Sequence, residues 1–440
     1  MSVPTNILQN VITYQRAEIA RLLNSFYAIS MSNKKFKNFE NMTGNLGDTV
    51  SFDRAPRYRT YNSLVWTAQP SAQLVQTLTC GSAVNTAAQY TDEQFIFNVE
   101  RYMEVFGDSA VQELGSYIEA DVLNNIISAM TPSDSNASTY GVVQYKSGPF
   151  RFFGNGVTQI NTYQQLAQAC ANFRDFGAAK DKMEACLPDT VIPSIIGSGL
   201  NQFAINRNNK DALDWELGPF AECNWFTSNL LPIHVSGTIG NAAAPNNVMT
   251  VVSTNDATGA NVTQITFTEP TNSTDANAIK AGDLFQFNDG VSGQPNMRFL
   301  TYVGHKQCRQ PVQFRAIADA ATTSGSVTVS LQTTNDVGLA WAANASQNLN
   351  NAIATGMTVT PMPSHQAGIL HSGNQFYLAM PKLPDQGPFY SNTEQDAESG
   401  VSIQHAWGSQ LGQNSRTYGR QALYGATMVS ENCMRLLFPL

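Results

Sequence analysis

Apolar residues recur along this chain in two rhythms, and the places where the rhythm changes mark out its parts. Residues 5–30 carry Leu8, Ile12, Ile19, Leu22, Phe26 and Ile29 at three-to-four spacing, with Gln15, Arg16 and Glu18 off the stripe. That spacing predicts an amphipathic helix with Thr5 as its N-cap. SNKKFKNF and MTGNLGD follow, and the two glycines detach the helix from what comes next. A detached helix must bury its stripe elsewhere, and a neighbouring copy of the chain is the expected place. Thr49–Phe52 then alternates polar and apolar, and strands are predicted again at Ser63–Thr67 (SLVWT) and Gln73–Thr79 (QLVQTLT). Pro56 and Pro70 argue against a central sheet position, so 48–76 reads as a long two-stranded excursion with exposed edges.

The helical rhythm returns from Phe95 to Met130. Val99, Met103, Phe106, Ala110, Leu114, Tyr117 or Ile118, Val122, Ile126 and Met130 hold one face, a strut of roughly 50 Å at about 1.5 Å per residue. Residues 136–234 mix a helix (Tyr163–Phe176) with a strand (Thr190–Ile196), an α+β pattern. From Val235 to Met362 the chain turns Val/Thr/Asn-rich. Strands are predicted at 248–254, 262–268, 283–287, 299–303, 312–317, 326–332 and 357–360, spaced as in a small barrel or sandwich. After Pro363 the α+β pattern resumes, with strands at Gln375–Met380 and Val401–Trp407 and a Gly- and Tyr-rich stretch from Arg416 to Ala426. The simplest organisation is a β-unit inserted between two halves of an α+β domain, and 235–362 is expected to fold alone.

Composition sharpens this in two ways. Only 13% of the 440 residues are charged, against roughly 25% in an average domain; a surface so poor in charge suits a protein covered by partners or a polar β-rich one. The net charge is −8, unevenly spread: residues 1–60 hold eight basic and four acidic residues, so +4 there leaves −12 for the rest. A protein that coats nucleic acid by neutralising phosphates would be basic. A basic start on an acidic body is complementary to a copy of itself. Six scattered cysteines without a signal peptide predict free thiols, and with no run of 18 apolar residues no membrane span is expected.

Candidate chemistry is sparse. Arg54, Arg57 and Arg59 fall within six positions, interleaved with Tyr58 and Tyr61. They read as a solvated strand end, as partners for acids on another protein, or as phosphate contacts; the acidic body favours the protein over the nucleic acid. His305 and Cys308 have a metal-ligand spacing but no second pair nearby, and His365 and His371 lie in what reads as a surface loop. Phosphate-loop, dinucleotide, nucleophile-elbow and zinc-protease motifs are missing. No catalytic, cofactor-binding or metal residue is assigned.

The order of parts resembles the major capsid (coat) protein of tailed bacteriophages, the Hong Kong 97-like fold, and most closely the podovirus type with an insertion domain. The resemblance is carried by EIARLLNSFYAISMSNKKFKNF, GDTVSFDRAPRY, KAGDLFQF, GSVTVSL, VSIQHAW and RTYGRQALYGA, which are spread over most of the chain. It implies an α+β fold with an N-terminal arm (1–45), an extended loop (46–76), a peripheral domain with a spine helix (77–135), an axial domain (136–234), an inserted β-barrel (235–362) and a return to the axial and peripheral domains (363–440). It implies no enzyme and no cofactor. The function would be self-assembly, as pentamers and hexamers, into an icosahedral shell that encloses double-stranded DNA without binding it specifically. Partners would be a separate scaffolding protein, since the arm starts at residue 1, a portal protein and a decoration protein. Assembly would take place in the host cytoplasm and the product would be the virion capsid. Inter-subunit contacts would come from Arg54, Arg57, Tyr58, Arg59, Tyr61 and Trp66 on the loop, and from Ile19, Leu22, Phe26, Lys34, Lys35 and Lys37 on the arm. Another self-assembling virion component, from a tail or a decoration, is the alternative, ahead of an enzyme with a β-accessory domain.

Overall fold

The structure, a computed structural model, describes residues 18–20, 22, 26–32, 49–54, 58–68, 74–91, 108–127, 148–177, 182–199, 219–243, 247–269, 274–289, 295–332, 338–373, 375–384, 390–395, 400–409 and 415–440. In chain order its helices are α1 (Tyr27–Met31), α2 (Asp108–Ile127), α3 (Tyr163–Asp175) and α4 (Ile192–Gly199). The strands of the first half are β1 (Thr49–Arg54), β2 (Leu74–Thr79), β3 (Ser82–Thr91), β4 (Phe152–Phe153), β5 (Met183–Pro188), β6 (Cys223–Ser228) and β7 (Ile233–His234). Then come β8 (Met249–Thr254), β9 (Gln264–Thr268), β10 (Leu284–Phe287), β11 (Arg298–Leu300), β12 (Gln307–Pro311), β13 (Gln313–Ala316), β14 (Ser326–Gln332) and β15 (Thr358–Pro361). The last six are β16 (His365–Ser372), β17 (Phe376–Ala379), β18 (Tyr390–Gln395), β19 (Ser402–Ser409), β20 (Ser415–Met428) and β21 (Cys433–Phe438). They form two compact units: Met1–Val50 with Thr77–Leu123 and Phe376–Thr427, and Ser51–Gln76 with Asn124–Gln375 and Met428–Leu440.

The first unit is built on a sheet ordered β17-β20-β19-β18, with β3 also paired to β20. Helix α2 is the described part of the predicted strut; 95–107 and 128–130 lie outside the described residues. Leu114, Ile118, Val122 and Ile126 are buried at helical spacing, and of the two candidates at the middle position Ile118 turns inward while Tyr117 stays exposed. Gly115 interrupts this helix for a packing reason. A Cβ there would stand 2.2 Å from Phe26 Cε2 and 2.6 Å from Leu22 Cδ2. The missing methyl is the notch into which the arm packs. Helix α1 follows Phe26, which offers no side-chain cap. Glu119 of α2 supplies one instead, its Oε2 accepting from Ala28 N at 2.6 Å.

The second unit holds a mixed sheet, β4-β21-β16-β5-β6 with β7 on β16, and a closed barrel, β10-β13-β14-β9-β8-β15. β21 is buried at all six positions and β16 at seven of eight, as strands covered on both faces are. Helix α3 packs Tyr163, Leu166, Ala169, Cys170 and Phe173 inward. Its start is a reciprocal cap: Thr162 Oγ1 accepts from Gln165 N at 3.2 Å, and Gln165 Oε1 accepts from Asn161 N at 2.9 Å. All seven predicted strands between 248 and 360 exist, but β11 stands apart from the barrel and pairs with β12. The barrel core of Phe267, Phe285, Phe287 and Phe314 also takes in Phe150 and Phe176 from outside 235–362. Phe150, Phe176 and Phe299 meet edge-on in a ring of three, with centroids 5.7–6.2 Å apart. Such pairs add about 0.5–1.5 kcal/mol each beyond area burial.

The same unit holds three fully buried arginines, Arg151, Arg315 and Arg435. Arg435 of β21 donates to the carbonyl of Ile127, the last residue of α2, to Gly282 O at 3.2 Å in the turn before β10, and to His365 Nε2 at 3.3 Å on β16. One guanidinium thus satisfies a helix end, a barrel turn and a sheet strand. Arg151 donates to Glu431 O at 2.9 Å and lies 4.3 Å over the Phe176 ring. Burial lowers Arg435 to about 9, with Arg315 pressing it further down, so it remains a cation at neutral pH. His365 is held neutral: burial and then Arg435 bring it to about 2. Its Nδ1 lies 2.7 Å from Pro363 O and its Nε2 faces Arg435, consistent with a proton on Nδ1. His234 Nε2 meets Asp283 Oδ1 at 2.8 Å in the same interior.

Three expectations fail here, each for a physical reason. His365 and His371 are not on a surface loop; both are buried in β16, where pairing with β7 at His365 and with β21 and β5 at His371 overrides the turn-like local sequence. Thr190–Ile196 is not a strand. Asp189–Val191 is a 3-10 turn that runs into α4, and Pro193 falls in the first helical turn, where a missing N–H costs nothing. Ser63–Thr67 is not a strand either, but an irregular tip between β1 and β2.

Two outcomes follow. Gly115→Ala would stabilise an unencumbered helix by about 1 kcal/mol; against the arm it is expected to cost about 1–3 kcal/mol, read as a lower urea midpoint. The depressed pKa of His365 contributes stability that is whole above its unfolded value of about 6.5 and is lost as pH falls toward the folded one. Urea stability should therefore decline below that pH, and His365→Gln should reduce the slope by up to about 1.4 kcal/mol per pH unit.

Candidate assembly surface

The two-stranded pairing expected within 48–76 is present. β1 pairs with β2 in a two-stranded sheet, and the chain between them turns through an irregular tip. Ser63 shapes that tip: its hydroxyl accepts from Val65 N at 3.0 Å, a short side-chain turn that replaces a strand ladder. The result is an apolar cluster held in water. Leu64 is 100% exposed, Val65 75% and Trp66 98%, with Tyr58 at 61% and Tyr61 at 39%. Three consecutive large apolar side chains left this open are the informative exception to burial. Covering them would gain on the order of 2 kcal/mol per side chain.

Arg59 behaves differently from the expectation. It is half-buried, and its guanidinium donates to Gln347 Oε1 of the same chain and lies 6.0 Å from the Tyr61 ring centroid. The cation is engaged within its own unit. Arg57 and the side chain of Arg54 lie outside the described residues, as do Lys34, Lys35 and Lys37. The tip therefore brings together Tyr58, Arg59, Tyr61 and Trp66 of the expected set. It adds Leu64 and Val65, passed over because SLVWT reads as a strand, in which alternate residues would be covered. The signal for exposure was the polar pair Asn62–Ser63 ahead of the run.

The arm residues fall elsewhere. Ile19 is 2% exposed, Leu22 0% and Phe26 9%. They were expected against a neighbouring copy; in this structure the chain covers them itself, and Gly115 opens the place that Leu22 and Phe26 fill. Glu18, off the stripe in the helical reading, is buried as well.

The pair with metal-ligand spacing meets backbone oxygens. His305 Nε2 faces Ala345 O at 3.4 Å and Cys308 Sγ faces Asp175 O at 3.5 Å. Among the described residues no group of three or more His, Cys, Asp and Glu is placed to hold a metal. All six cysteines are buried free thiols, and burial drives Cys308 up to about 12, far from a reactive thiolate. No described helix is long and apolar enough to cross a membrane.

No family model and no curated protein matches the sequence. Among solved structures the chain is similar to one from Mycobacterium phage Che8, at 8% identity and TM-score 0.41, covering 94% of this chain and 91% of that one. It is similar to the mature capsid of bacteriophage PhiM1, at 8% identity and TM-score 0.40 over 94% and 87% of the two chains. It is similar also to the capsid of Ralstonia phage GP4, at 9% identity and TM-score 0.39 over 90% and 85%. Superposition at this level is loose, and the functional reading rests on the chain's own residues.

The tie between Arg59 and Gln347 has a direct check. Gln347→Ala is expected to raise chymotryptic cleavage at Tyr58, Tyr61 and Trp66 severalfold under native conditions. Unchanged cleavage would show that the tip is not held there.

Proposed function

We propose that this chain is a structural major capsid protein of a tailed bacteriophage, which builds a closed shell from many copies of itself. The observation that carries the reading is the exposed Leu64-Val65-Trp66 tip on a two-stranded projection. Among the described residues the apolar faces of α2 and α3 are buried and a glycine notch receives Leu22 and Phe26, yet these three side chains stand in water. Their occupant is a second copy. The charge balance supports it, since a basic N-terminal section on an acidic body attracts its own kind. The order of parts, with an arm, a projecting loop, a long helix and an inserted barrel, supports it as well.

Within this reading the parts take the roles expected of the Hong Kong 97-like fold: 1–45 as the arm, 46–76 as the extended loop, 77–135 as the peripheral domain, 136–234 with 363–440 as the axial framework, and 235–362 as the insertion domain of the podovirus type. Pentamers and hexamers would close the shell around double-stranded DNA, with a scaffolding protein, a portal and a decoration protein as partners during assembly in the host cytoplasm. An apolar tip covered once per subunit gives a modest contact, repeated by symmetry around the shell. Modest single contacts let misplaced subunits dissociate.

Replacing Leu64, Val65 and Trp66 together with Ser leaves the described core untouched and should leave the melting temperature of the unassembled chain unchanged. Sedimentation should then show loss of the assembled species, or at least a tenfold higher concentration needed to form it. Normal assembly of the triple variant would overturn the reading of the tip as the subunit contact.

A further inference from the structure

Glu18 is a carboxylate in an apolar stretch, and the structure shows where it goes. Its Oε1 accepts from Arg420 Nε at 3.1 Å and from Arg420 Nη2 at 2.9 Å, across 402 residues of sequence. Its Oε2 lies 2.8 Å from His405 Nε2, an ion-pair distance off the line of a good hydrogen bond. His405 and Arg420 are direct cross-strand partners on β19 and β20. All three side chains are buried: Glu18 is 5% exposed, Arg420 3% and His405 0%.

We propose that Glu18–Ala20, Leu22 and Phe26–Ser32 belong to a releasable strap, and that the Glu18 carboxylate is the latch that holds it on the sheet. The asymmetry of the site supports this. Arg420 and His405 belong to paired central strands, and their other contacts are to a neighbour on β20: the Arg420 guanidinium lies 4.8 Å over the Tyr418 ring, and the Tyr418 hydroxyl meets His405 Nδ1. Among the described residues of the strap, Glu18 is the charged side chain, and it reaches the sheet buried. The register facing this pair is otherwise uncharged, with Thr86 of β3 opposite Arg420 and Asn392 of β18 opposite His405. Further along the same unit, Glu119 of α2 holds Ala28 N, and Asp121 of α2 accepts from the Tyr424 hydroxyl at 2.6 Å. If Glu18 loses its charge, a buried guanidinium loses its carboxylate, a situation that proteins relieve by letting water in. The strap is the part that can move aside to admit it.

Glu18 is set to stay charged. Burial pushes its carboxyl up, but the neighbouring His405, and then Arg420, pull it below the usual glutamate value. The latch therefore holds above the ordinary glutamate range and weakens as pH falls through the lowered folded value. Released, the strap bares Ile19, Leu22 and Phe26 and empties the notch at Gly115. These two complementary apolar surfaces would be open to a second copy, a consequence that rests on the assembly reading, whereas the latch does not.

Hydrogen exchange on the unassembled chain tests the latch whether or not shells form. In Glu18→Gln, the amides of Glu18–Ala20 and Phe26–Ser32 should exchange at least tenfold faster than in the unaltered chain, while those of β19 and β20 stay as slow. In the unaltered chain, acid should produce the same local rise, after correction for intrinsic rates, and Glu18→Gln should lack that acid step. Equal exchange in the two chains, loosening of the sheet together with the strap, or an acid step that persists in Glu18→Gln would each overturn the proposal. Should Glu18→Gln fail to fold, Arg420→Lys is the second variant. It keeps one charged contact and loses the paired geometry, so a smaller rise confined to the strap is expected, and no rise would equally overturn the latch.

Discussion

A guanidinium that cannot reach water must find its partners inside the protein, and Arg435 sets the terms for much around it. It stays charged after burial, so every acceptor nearby is fixed in place to serve it: the last carbonyl of α2, the carbonyl of Gly282 and the unprotonated nitrogen of His365. His365 must therefore be neutral, and Gly282 must turn with its oxygen inward. Buried ionic groups seldom add net stability over a well-packed apolar core, but removing one partner costs heavily. In the second unit this constraint ties the sheet, the barrel turn and the helix end to one geometry.

The same economy appears in the first unit. Glu119 caps α1 because Phe26 cannot, and Gly115 accepts a helix penalty so that Phe26 and Leu22 fit. Against that background, Leu64, Val65 and Trp66 stand out. They sit on a turn made by Ser63, with no covering surface among the described residues, while Arg59 steadies the tip through Gln347. Among the described residues they are a run of large apolar side chains left open to solvent, the surface on which the proposed contact between copies rests.

Much of this was legible in the sequence, for physical reasons. Short Val-, Thr- and Phe-rich runs between turn residues located every strand of the barrel, and along β9 and β15 buried positions alternate with more open ones. Helix α3 announced itself by its apolar spacing. What could not be read was whatever depends on distant partners. His365 looked like loop until β7 paired with it at the head of β16. The helix at 192–199 hid behind β-branched residues and a proline that is harmless in a first turn. The arm looked detached because the notch that receives it is an absence, a missing methyl 89 positions beyond Phe26. The tip was half legible: its aromatic residues were singled out, while Leu64 and Val65 were lost to a false strand.

The central claim is that this chain's work is to enclose rather than to transform. Negative-stain electron microscopy of the purified protein, across a range of concentrations, tests it most directly. Closed, hollow particles of uniform diameter are the predicted result. Material that remains monomeric at every concentration, with the Leu64–Trp66 tip still open to solvent, would contradict it.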